Sequence, residues 1–142
     1  ARPVSERDEL VVCTDGGARG NPGPAAIGAV VLDPSTDPPE VVATVSERIG
    51  VTTNNVAEYR AVIEGLKAAR AVGARRVVLR ADSQLVIRQL EGRYRVKQAH
   101  LQPLFAEARA LLDEFPEAEL VHVRREDNAD ADALVNAALD AG

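Results

Sequence analysis

Four acidic residues lie at predicted ends or edges of regular structure, where their carboxylates could do chemistry: Asp15, Glu58, Asp82 and Asp132. Asp15 ends the apolar run ELVVCTD and Asp82 ends the run RRVVLRAD, and such runs are typical of buried strands. Glu58 and Asp132 lie at the edges of the apolar stripes of two predicted helices. Two neighbouring strand ends and two helix flanks can meet at the rim of an open sheet, where ligands usually bind.

A divalent cation would explain why four carboxylates gather in one place. Close carboxylates repel and raise one another's pKa values, so the free energy of folding gives no reason to collect them. Magnesium takes oxygen ligands and keeps several waters. Two such ions, roughly 4 Å apart, clamp the attacking and leaving oxygens of a phosphoryl displacement. The pattern therefore predicts a metal-dependent site for chemistry on a phosphate.

Each acid also has an ordinary structural interpretation. Asp15 can cap a turn, and Asp82 can be the N-cap of the helix that begins at Ser83, which are frequent roles of aspartate. Helical spacing alone does not separate Asp130 from Asp132, because both flank the apolar stripe of the last helix. Residue type and position therefore leave the assignment open.

The composition indicates a single ordinary globular domain. The chain has 142 residues, of which 46% are hydrophobic and 27% are charged, which is enough for one sheet covered by helices. Its net charge of −5 argues against a general nucleic-acid binder, although a metal would neutralise acids gathered around it. No apolar stretch is long enough to span a membrane, and the lone Cys13 favours a reducing, cytoplasmic location.

Apolar periodicity and turn signals predict an α/β protein. Residues 1–8 are polar and predicted to be disordered, and residues 9–142 are predicted to form the domain. Predicted strands cover residues 9–15, 26–33, 40–49, 76–81 and 118–124. Helices are predicted in the segments NNVAEYRAVIEGLKAARAV, SQLVIRQL, HLQPLFAEARALLDEF and NADADALVNAALD. The order βββαβααβα predicts a mixed five-stranded sheet flanked by helices, with the first three strands as an antiparallel meander.

The first long helix is predicted to bury one apolar stripe. Its members recur at helical spacing and are followed by Gly73 as a stop signal. The predicted stripe is Val56, Tyr59, Val62, Ile63, Leu66 and Arg70.

The sequence motifs around the four acids resemble those of a known protein family. TDGGARGNPGPAAIGAVV resembles the opening strand and hairpin of type 1 ribonuclease H, and TTNNVAEYRAVIEGL resembles the first helix of that family. ADSQLVIRQLEG and REDNADADALVNAA resemble its third and last motifs. The four motifs fall in the family's order and span residues 11–137. The chain therefore resembles type 1 ribonuclease H, in the short-loop form of archaeal and actinobacterial members.

The resemblance implies a ribonuclease H fold with sheet order 3-2-1-4-5, and an endonuclease that hydrolyses the RNA strand of RNA/DNA hybrids. By motif, Asp15, Glu58, Asp82 and Asp132 would be the catalytic metal ligands, and the pattern N-x-x-A-D selects Asp132 over Asp130. The expected cofactor is Mg²⁺, as two ions, with Mn²⁺ as a substitute. In the family mechanism one ion activates water and the other stabilises the departing 3′ oxygen, which gives 5′-phosphate and 3′-hydroxyl ends.

The resemblance also implies a substrate surface, since a hybrid duplex is read by its shape and its 2′-hydroxyl groups. Thr53 matches a family residue that contacts a DNA phosphate, and Asn54 and Asn55 match residues that bond ribose and base edges. In the loop from Gly16 to Gly23, glycines would let the main chain approach a ribose closely. The expected substrate-binding set is Gly16, Gly17, Asn21, Gly23, Thr53, Asn54, Asn55, Ser83, Arg93, Arg95 and Lys97.

Two departures from the family pattern matter. The segment GRYRVKQAHLQP lacks the tryptophan-rich basic protrusion of some members, and Arg93, Arg95 and Lys97 are expected to replace part of it. A solvated basic face is the alternative interpretation of that strip. The mobile histidine of many members is missing from the loop RREDN, so Arg125 or Glu126 is expected to lie nearest the site.

Partners and rival functions follow from the same resemblance. Some short-loop members also attack double-stranded RNA and some are fused to a phosphatase-like domain, so a C-terminal fused domain beyond this chain is expected. Neither a membrane partner nor a state beyond the monomer is expected. Two alternatives stay open. The first is a non-catalytic hybrid-binding module, against which the four intact acids argue. The second is a DNA-directed nuclease of the same fold, against which the T-N-N and G-N-P-G motifs argue.

Overall fold

The computed structural model describes residues 8–141, so positions 1–7 of the predicted disordered segment lie outside the described residues. The strands are β1 Glu9–Ala18, β2 Gly23–Asp33, β3 Glu40–Thr52, β4 Arg76–Ala81 and β5 Glu117–His122. The helices are α1 Asn54–Val72, α2 Gln84–Leu90, α3 Gln102–Asp113 and α4 Ala129–Asp140, with 3₁₀ turns at Ala99–Leu101 and Arg125–Asn128. None of the helices in this described part could cross a lipid bilayer.

The five strands form one mixed sheet in the order β3-β2-β1-β4-β5, which confirms the predicted fold class. The pairs β1–β2 and β2–β3 are antiparallel, whereas β1–β4 and β4–β5 are parallel. Short turns join the first three strands and reverse the chain direction, but each parallel neighbour is reached through a helical connection. The carboxyl ends of β1, β4 and β5 consequently point to the same edge of the sheet.

The two faces of the sheet carry different helices. A Cβ atom on Gly16 would meet the backbone of α1, whereas a Cβ atom on the next residue, Gly17, would meet only Val135 of α4. Since successive strand residues point to opposite faces, α1 and α4 cover opposite faces. The main apolar core lies on the face with α1, α2 and α3. A much smaller cluster packs under α4: Ala26, Val135, Ala138 and Leu139.

Strand β1 is longer than predicted, and the hairpin loop is shorter. The sequence predicts a loop from Gly16 to Gly23, but Gly16 and Gly17 lie within β1 and Gly23 begins β2. The cause is one-sided pairing: the β1–β4 ladder ends at Thr14, while the β1–β2 ladder continues to Ala18. The apolar pattern misses this extension because the added residues are glycine and alanine.

Two further strand boundaries differ from the prediction. Strand β3 continues to Thr52 rather than ending at residue 49, and β5 ends at His122 rather than at residue 124. Pairing with β2 extends β3, since the ladder reaches Gly23↔Thr52. The ladder that holds β5 ends where β4 ends, at Ala81. Tertiary pairing, rather than local composition, sets these ends.

Helix α1 buries most of the predicted stripe, including Tyr59, Val62, Ile63 and Leu66, but the buried face is wider and excludes Arg70. Arg70, which the sequence places on that stripe, is exposed, and its Nη1 lies 2.9 Å from Glu114 Oε2. Small residues widen the buried face instead: Ala57, Ala61, Gly65 and Ala69. A Cβ atom on Gly65 would lie 2.8 Å from Val12 Cγ1, so glycine lets the helix lie close against β1. Close approach therefore depends on small residues that an apolar stripe does not reveal.

Candidate active site

The carboxyl edge of β1 and β4 borders a cleft with a volume of about 500 Å³. Its wall contains the four acids of the predicted metal site: Asp15, Glu58, Asp82 and Asp132. Asp130, the alternative that helical spacing leaves open, is exposed and lies outside this wall. The structure thus brings together four side chains that are far apart in the sequence. We call this depression the acidic cleft.

Parallel pairing places Asp15 and Asp82 next to each other. The last pair in the β1–β4 ladder is Thr14↔Ala81, so the next residue on each side is an acid at the same edge. The sequence predicts that Asp15 ends its strand. The strand continues instead, because β1 stays paired with β2 at Asp15↔Gly28 and beyond. Asp15 is therefore anchored on its β2 side and borders open space on the side where β4 has ended.

Helix α1 brings Glu58 to the cleft from one face of the sheet. Thr53 caps the start of the helix, because its Oγ1 accepts a hydrogen bond from the Val56 amide at 3.3 Å. Gly16 allows the close approach, since a Cβ atom there would lie 2.3 Å from the Ala57 carbonyl carbon and 2.6 Å from the Glu58 nitrogen. Gly16 therefore positions Glu58 by packing, a role that the sequence analysis does not predict.

Helix α4 brings Asp132 to the cleft from the opposite face. The helix lies against β2 because Gly28 has no side chain, and a Cβ atom there would lie 2.4 Å from the Ala131 carbonyl oxygen. Asn136 Nδ2 donates to Asp132 Oδ2 at 3.3 Å, and Arg125 Nη2 lies 3.9 Å from Asp132 Oδ1. Arg125, rather than its acidic neighbour, is therefore the loop residue on the cleft wall.

The four acids interact electrostatically. Burial, followed by the charge of Asp82, raises the pKa of Asp15 from 3.8 to about 8, and a hydrogen bond with Asp132 acts in the same direction. Burial also raises the pKa of Glu58, although a hydrogen bond with Ser83 opposes the shift. Without a cation, the cleft therefore retains at neutral pH the proton of Asp15, a carboxyl group that is ordinarily ionised there.

The donor set fits a hard divalent cation. Oε2 of Glu58 is buried and has no hydrogen-bond partner, which is costly unless a positive group satisfies it. Within residues 8–141, no three or more His, Cys, Asp or Glu side chains already form a group that could hold a metal ion. Magnesium often uses only one or two carboxylates and completes its coordination with waters and substrate phosphates. The residues therefore suit a metal that binds together with a phosphate-bearing substrate, rather than a closed protein cage.

The β1–β2 turn is tied to the start of α1. Asn54 Oδ1 accepts a hydrogen bond from the Ala18 amide at 2.8 Å, and Asn21 Oδ1 accepts one from the Asn54 amide at 3.1 Å. Asn54 lines the cleft, and its NH₂ group is the part of the side chain not used in these contacts. Gly23 serves the turn itself, since a Cβ atom there would lie 2.1 Å from the Arg19 carbonyl oxygen.

Gly17 is the glycine of this region that leaves open space. It lines the acidic cleft, and the nearest atom to an added Cβ would be Val135 Cγ1 at 3.9 Å. The other two predicted substrate glycines, Gly16 and Gly23, are instead required by close backbone contacts. The predicted close approach of a ribose to the main chain therefore has room at Gly17.

A second depression of about 470 Å³ borders the start of α1. Its lining includes the predicted basic residues Arg93, Arg95 and Lys97, together with Asn55 and the half-exposed Tyr94. We call it the basic groove. Of the two adjacent asparagines at the start of α1, the first lines the acidic cleft and the second lines the basic groove. The predicted substrate surface is thus divided between two depressions that share one helix end.

Asn128 is a candidate functional residue that the sequence analysis misses. It is 3% exposed, and its Nδ2 donates to the Thr14 carbonyl at 2.8 Å and to Asp82 Oδ2 at 3.4 Å. Both facing atoms are acceptors, so the amide orientation is fixed, and its Oδ1 is buried without a partner. Ser83, the residue after Asp82, caps α2, because its Oγ accepts a hydrogen bond from the Val86 amide at 3.3 Å. The available signal was the first letter of N-x-x-A-D, at a helix start.

Comparisons with known proteins agree with this geometry. A model of the reverse transcriptase-like family matches residues 13–138. The bifunctional protein Rv2228c of Mycobacterium tuberculosis is 44% identical over 133 residues, which are 94% of this chain and 36% of that protein. Ribonuclease HI of Halobacterium salinarum is 44% identical over 126 residues, which are 89% of this chain and 62% of that protein. The chain thus spans about a third and somewhat under two thirds of the lengths of these relatives.

Solved structures give the same result at the level of the fold. The N-terminal ribonuclease H domain of the M. tuberculosis protein superposes with a TM-score of 0.88 at 44% identity, covering 93% of this chain and 99% of that chain. LC11-RNase H1 in complex with RNA/DNA hybrid superposes with a TM-score of 0.85 at 42% identity, covering 93% and 97%. These findings confirm the resemblance stated from the motifs. Because the chain is 44% identical to the M. tuberculosis ribonuclease H domain and covers 99% of it, the chain belongs to the ribonuclease H family.

Proposed function

We propose that this chain is an endonuclease that hydrolyses the RNA strand of an RNA/DNA hybrid. The observation that carries the proposal is the acidic cleft, in which Asp15, Glu58, Asp82 and Asp132 meet from four separate parts of the chain. The Halobacterium relative is named ribonuclease HI, and LC11-RNase H1 was solved with an RNA/DNA hybrid. Both support the choice of substrate.

The same four acids would hold the divalent metal, Mg²⁺ as two ions, with Mn²⁺ as a substitute. Bound there, the metal would activate the attacking water and stabilise the departing 3′ oxygen, so that the products carry 5′-phosphate and 3′-hydroxyl ends. Glu58 offers a buried oxygen without another partner. Asp15 must lose its proton as the cation arrives, because its pKa of about 8 in the metal-free protein falls beside a positive charge.

The RNA strand would lie against the acidic cleft. Gly17 leaves its main chain open to a ribose, and the NH₂ group of Asn54 is free to donate to a 2′-hydroxyl or a base edge. Asn21 and Gly23 would act indirectly, by holding the turn and the start of α1 in place. Ser83 would act in the same way, through its hydrogen bond with Glu58.

The DNA strand would lie along the basic groove. Arg93, Arg95 and Lys97 supply positive charge for phosphates, and Asn55 contributes a polar contact at the start of α1. Thr53 caps the same helix end, and its hydroxyl hydrogen would be able to donate to a phosphate. Both strands would thus bind next to the N-terminal end of helix α1.

Cleavage of labelled RNA tests this proposal. RNA is offered as RNA/DNA hybrid, as double-stranded RNA and as a single strand, with Mg²⁺, Mn²⁺ or EDTA, and a DNA duplex is included. We expect metal-dependent cutting of the hybrid, with 5′-phosphate ends, that is lost in Asp82→Asn. Asp130→Asn is the matched control, because it removes the same charge from an exposed position outside the cleft.

Each contrary result points to a different function. Hybrid binding without cleavage under either metal would identify a non-catalytic hybrid-binding module. Metal-dependent cutting of duplex DNA, with the hybrid left intact, would identify a DNA-directed nuclease. Cleavage that survives Asp82→Asn would overturn the assignment of the acids, since the cleft would then not be the reacting site.

A further inference from the structure

A buried pair of polar side chains joins α1 to α2. The Tyr59 hydroxyl donates to Gln89 Oε1 at 2.5 Å, and the two residues are 0% and 5% exposed. The Gln89 amide continues the connection, because its Nε2 donates to the Arg95 carbonyl oxygen at 3.4 Å. A chain of hydrogen bonds therefore runs from the interior of α1 to the middle of the basic groove.

The direction of this chain is fixed by chemistry. The Tyr59 phenol carries a proton at neutral pH, and its hydroxyl donates that proton to Gln89 Oε1. Gln89 must then present its oxygen to Tyr59, which turns its NH₂ group toward the Arg95 carbonyl. The side chain thus has one orientation, set by its partners on both sides.

Apolar side chains would fill this space at lower cost. A buried hydroxyl and amide must be fully paired to avoid a desolvation penalty. The surrounding core is apolar, with Val62, Val86 and Leu90 packed in the same cluster. A buried polar pair is therefore harder to accommodate here than two apolar side chains. Because polar networks specify one arrangement of their surroundings, we expect the pair to have a role in geometry.

The geometry in question is the spacing between the two depressions. Tyr59 follows Glu58 of the acidic cleft directly, and Gln89 lines the basic groove. The segment between α2 and the next 3₁₀ turn is largely exposed, with Val96 packed against the apolar core. Its backbone bonds to the Arg88 carbonyl, and Gln102 Nε2 donates to the Val96 carbonyl at 3.2 Å. The Gln89 contact adds a hydrogen-bonded connection from this segment to Tyr59, on the helix that carries the acid.

We propose that Tyr59 and Gln89 are positioning residues that set the distance of the Arg93–Lys97 segment from Glu58, and so match the basic groove to the second strand of a duplex held in the acidic cleft. The inference rests on the proposed function, because it takes a nucleic-acid duplex as the ligand. It adds a specific claim: duplex binding depends on two side chains that are 0% and 5% exposed and act through the position of the Arg93–Lys97 segment.

Three variants separate positioning from stability. Tyr59→Phe removes only the hydroxyl and leaves the Gln89 oxygen unpaired, and Gln89→Leu leaves the hydroxyl unpaired. The double variant replaces both partners by apolar groups, which restores most of the stability because no buried polar atom is orphaned. Val77→Ala is the control for stability loss alone, since Val77 is fully buried near the opposite end of β4.

Hybrid cleavage gives the main measurement. We expect KM to rise roughly three- to tenfold in all three variants, with kcat changed less than about twofold, as for the loss of one hydrogen bond in binding. The slope of log affinity against log salt should also fall, because fewer phosphates are neutralised when the segment moves. Val77→Ala should lower the melting temperature without changing KM or the slope.

Binding of the hybrid in EDTA is measured in parallel, so that the two proposals fail in different ways. If wild type binds the hybrid but does not cut it, the proposed function fails and the binding series still tests the pair. An unchanged KM and salt slope in the double variant would overturn the inference and leave a purely stabilising contact. Absence of any duplex binding by wild type would also overturn it.

Discussion

The acidic cleft and the basic groove flank one helix end but are built in opposite ways. The cleft holds half-buried carboxylates on elements whose backbones pack closely together, as at Gly16 and Gly28. The groove holds basic side chains on an exposed segment. The Arg93 side chain is 61% exposed, and its Nη1 lies 3.7 Å from Glu91 Oε1. Buried charge is costly unless it is compensated, whereas solvated charge is cheap and contributes little. Single changes should therefore act strongly in the cleft and weakly in the groove.

The largest expected effect is that of Asp15→Asn. Activity should fall by on the order of a thousandfold or more, because a proposed ligand to the metal would be lost and metal stabilisation is worth several kcal/mol. The metal-free protein should behave in the opposite way and become more stable at pH 8. Activity on hybrid and thermal melting in EDTA measure the two effects.

The pH dependence of that stabilisation has a definite sign. The folded pKa of Asp15 is about 8 against an ordinary value of 3.8, so the folded protein holds this proton more tightly than the unfolded chain. The stability that the proton contributes is complete below about pH 4 and is lost as pH rises through 8. The advantage of Asp15→Asn should therefore be a few kcal/mol at pH 8 and vanish near pH 4. An equal advantage in Asp130→Asn would contradict this cause.

The next effect distinguishes two adjacent glycines. Gly16→Ala should destabilise the protein by about 3 kcal/mol, because a Cβ atom at 2.3 Å from the Ala57 backbone forces α1 away from β1. Gly17→Ala should leave the melting temperature within a few degrees, because its Cβ meets nothing closer than 3.9 Å, but should raise KM for the hybrid. Chemical denaturation and cleavage kinetics check the pair. Equal stability of both variants would show that the contact at Gly16 relaxes easily.

A smaller effect is expected at Asn128. Asn128→Ala removes the donor to both the Thr14 carbonyl and Asp82, so stability should fall by about 1–3 kcal/mol. Activity should fall further than stability explains, because Asp82 loses its support. The matched control is Asn136→Ala, since Asn136 also donates to a cleft acid but is exposed. Full activity of Asn128→Ala at a temperature where it is folded would contradict the supporting role.

The smallest effects should come from the basic groove. Arg93→Ala, Arg95→Ala and Lys97→Ala should each weaken hybrid binding by about 1 kcal/mol or less at physiological salt, since exposed charges are screened. The triple variant should lower the salt slope by two to three phosphate contacts, roughly 0.9 per contact. Fluorescence anisotropy across a salt series measures this. An unchanged slope would make the strip a solvated face with no part in binding.

The order of the motifs carries most of what the sequence predicts correctly. The four motifs occur in the family's order along the chain. That order predicts the element order, the sheet order and the gathering in one cleft of Asp15, Glu58, Asp82 and Asp132. Their role as metal ligands stays a prediction. Apolar alternation also places β4 at its observed ends, because that strand is buried between two neighbours and its composition reports its position.

The features that the sequence does not predict depend on contacts between distant segments. Gly16 and Gly28 look like ordinary glycines until helices pack on them from opposite faces. Arg70 satisfies the helical period of the stripe, yet its charge is placed at the surface beside Glu114. Asn128 supports Asp82 across 46 positions of sequence. Periodicity describes one element at a time, so it contains no information about which small or polar residue will meet a neighbouring backbone.

Helix α4 packs on a much smaller apolar cluster than helix α1 does. Its apolar cluster consists of Ala26, Val135, Ala138 and Leu139, and its other ties include Ser46 Oγ to the Leu134 carbonyl at 2.7 Å. An element with so little buried apolar surface opens locally before the whole protein unfolds. Readiness for catalysis is then a population, the fraction of molecules with α4 docked. Amide hydrogen exchange should be faster in α4 than in α1. Mild urea should abolish hybrid cleavage while the sheet is still folded.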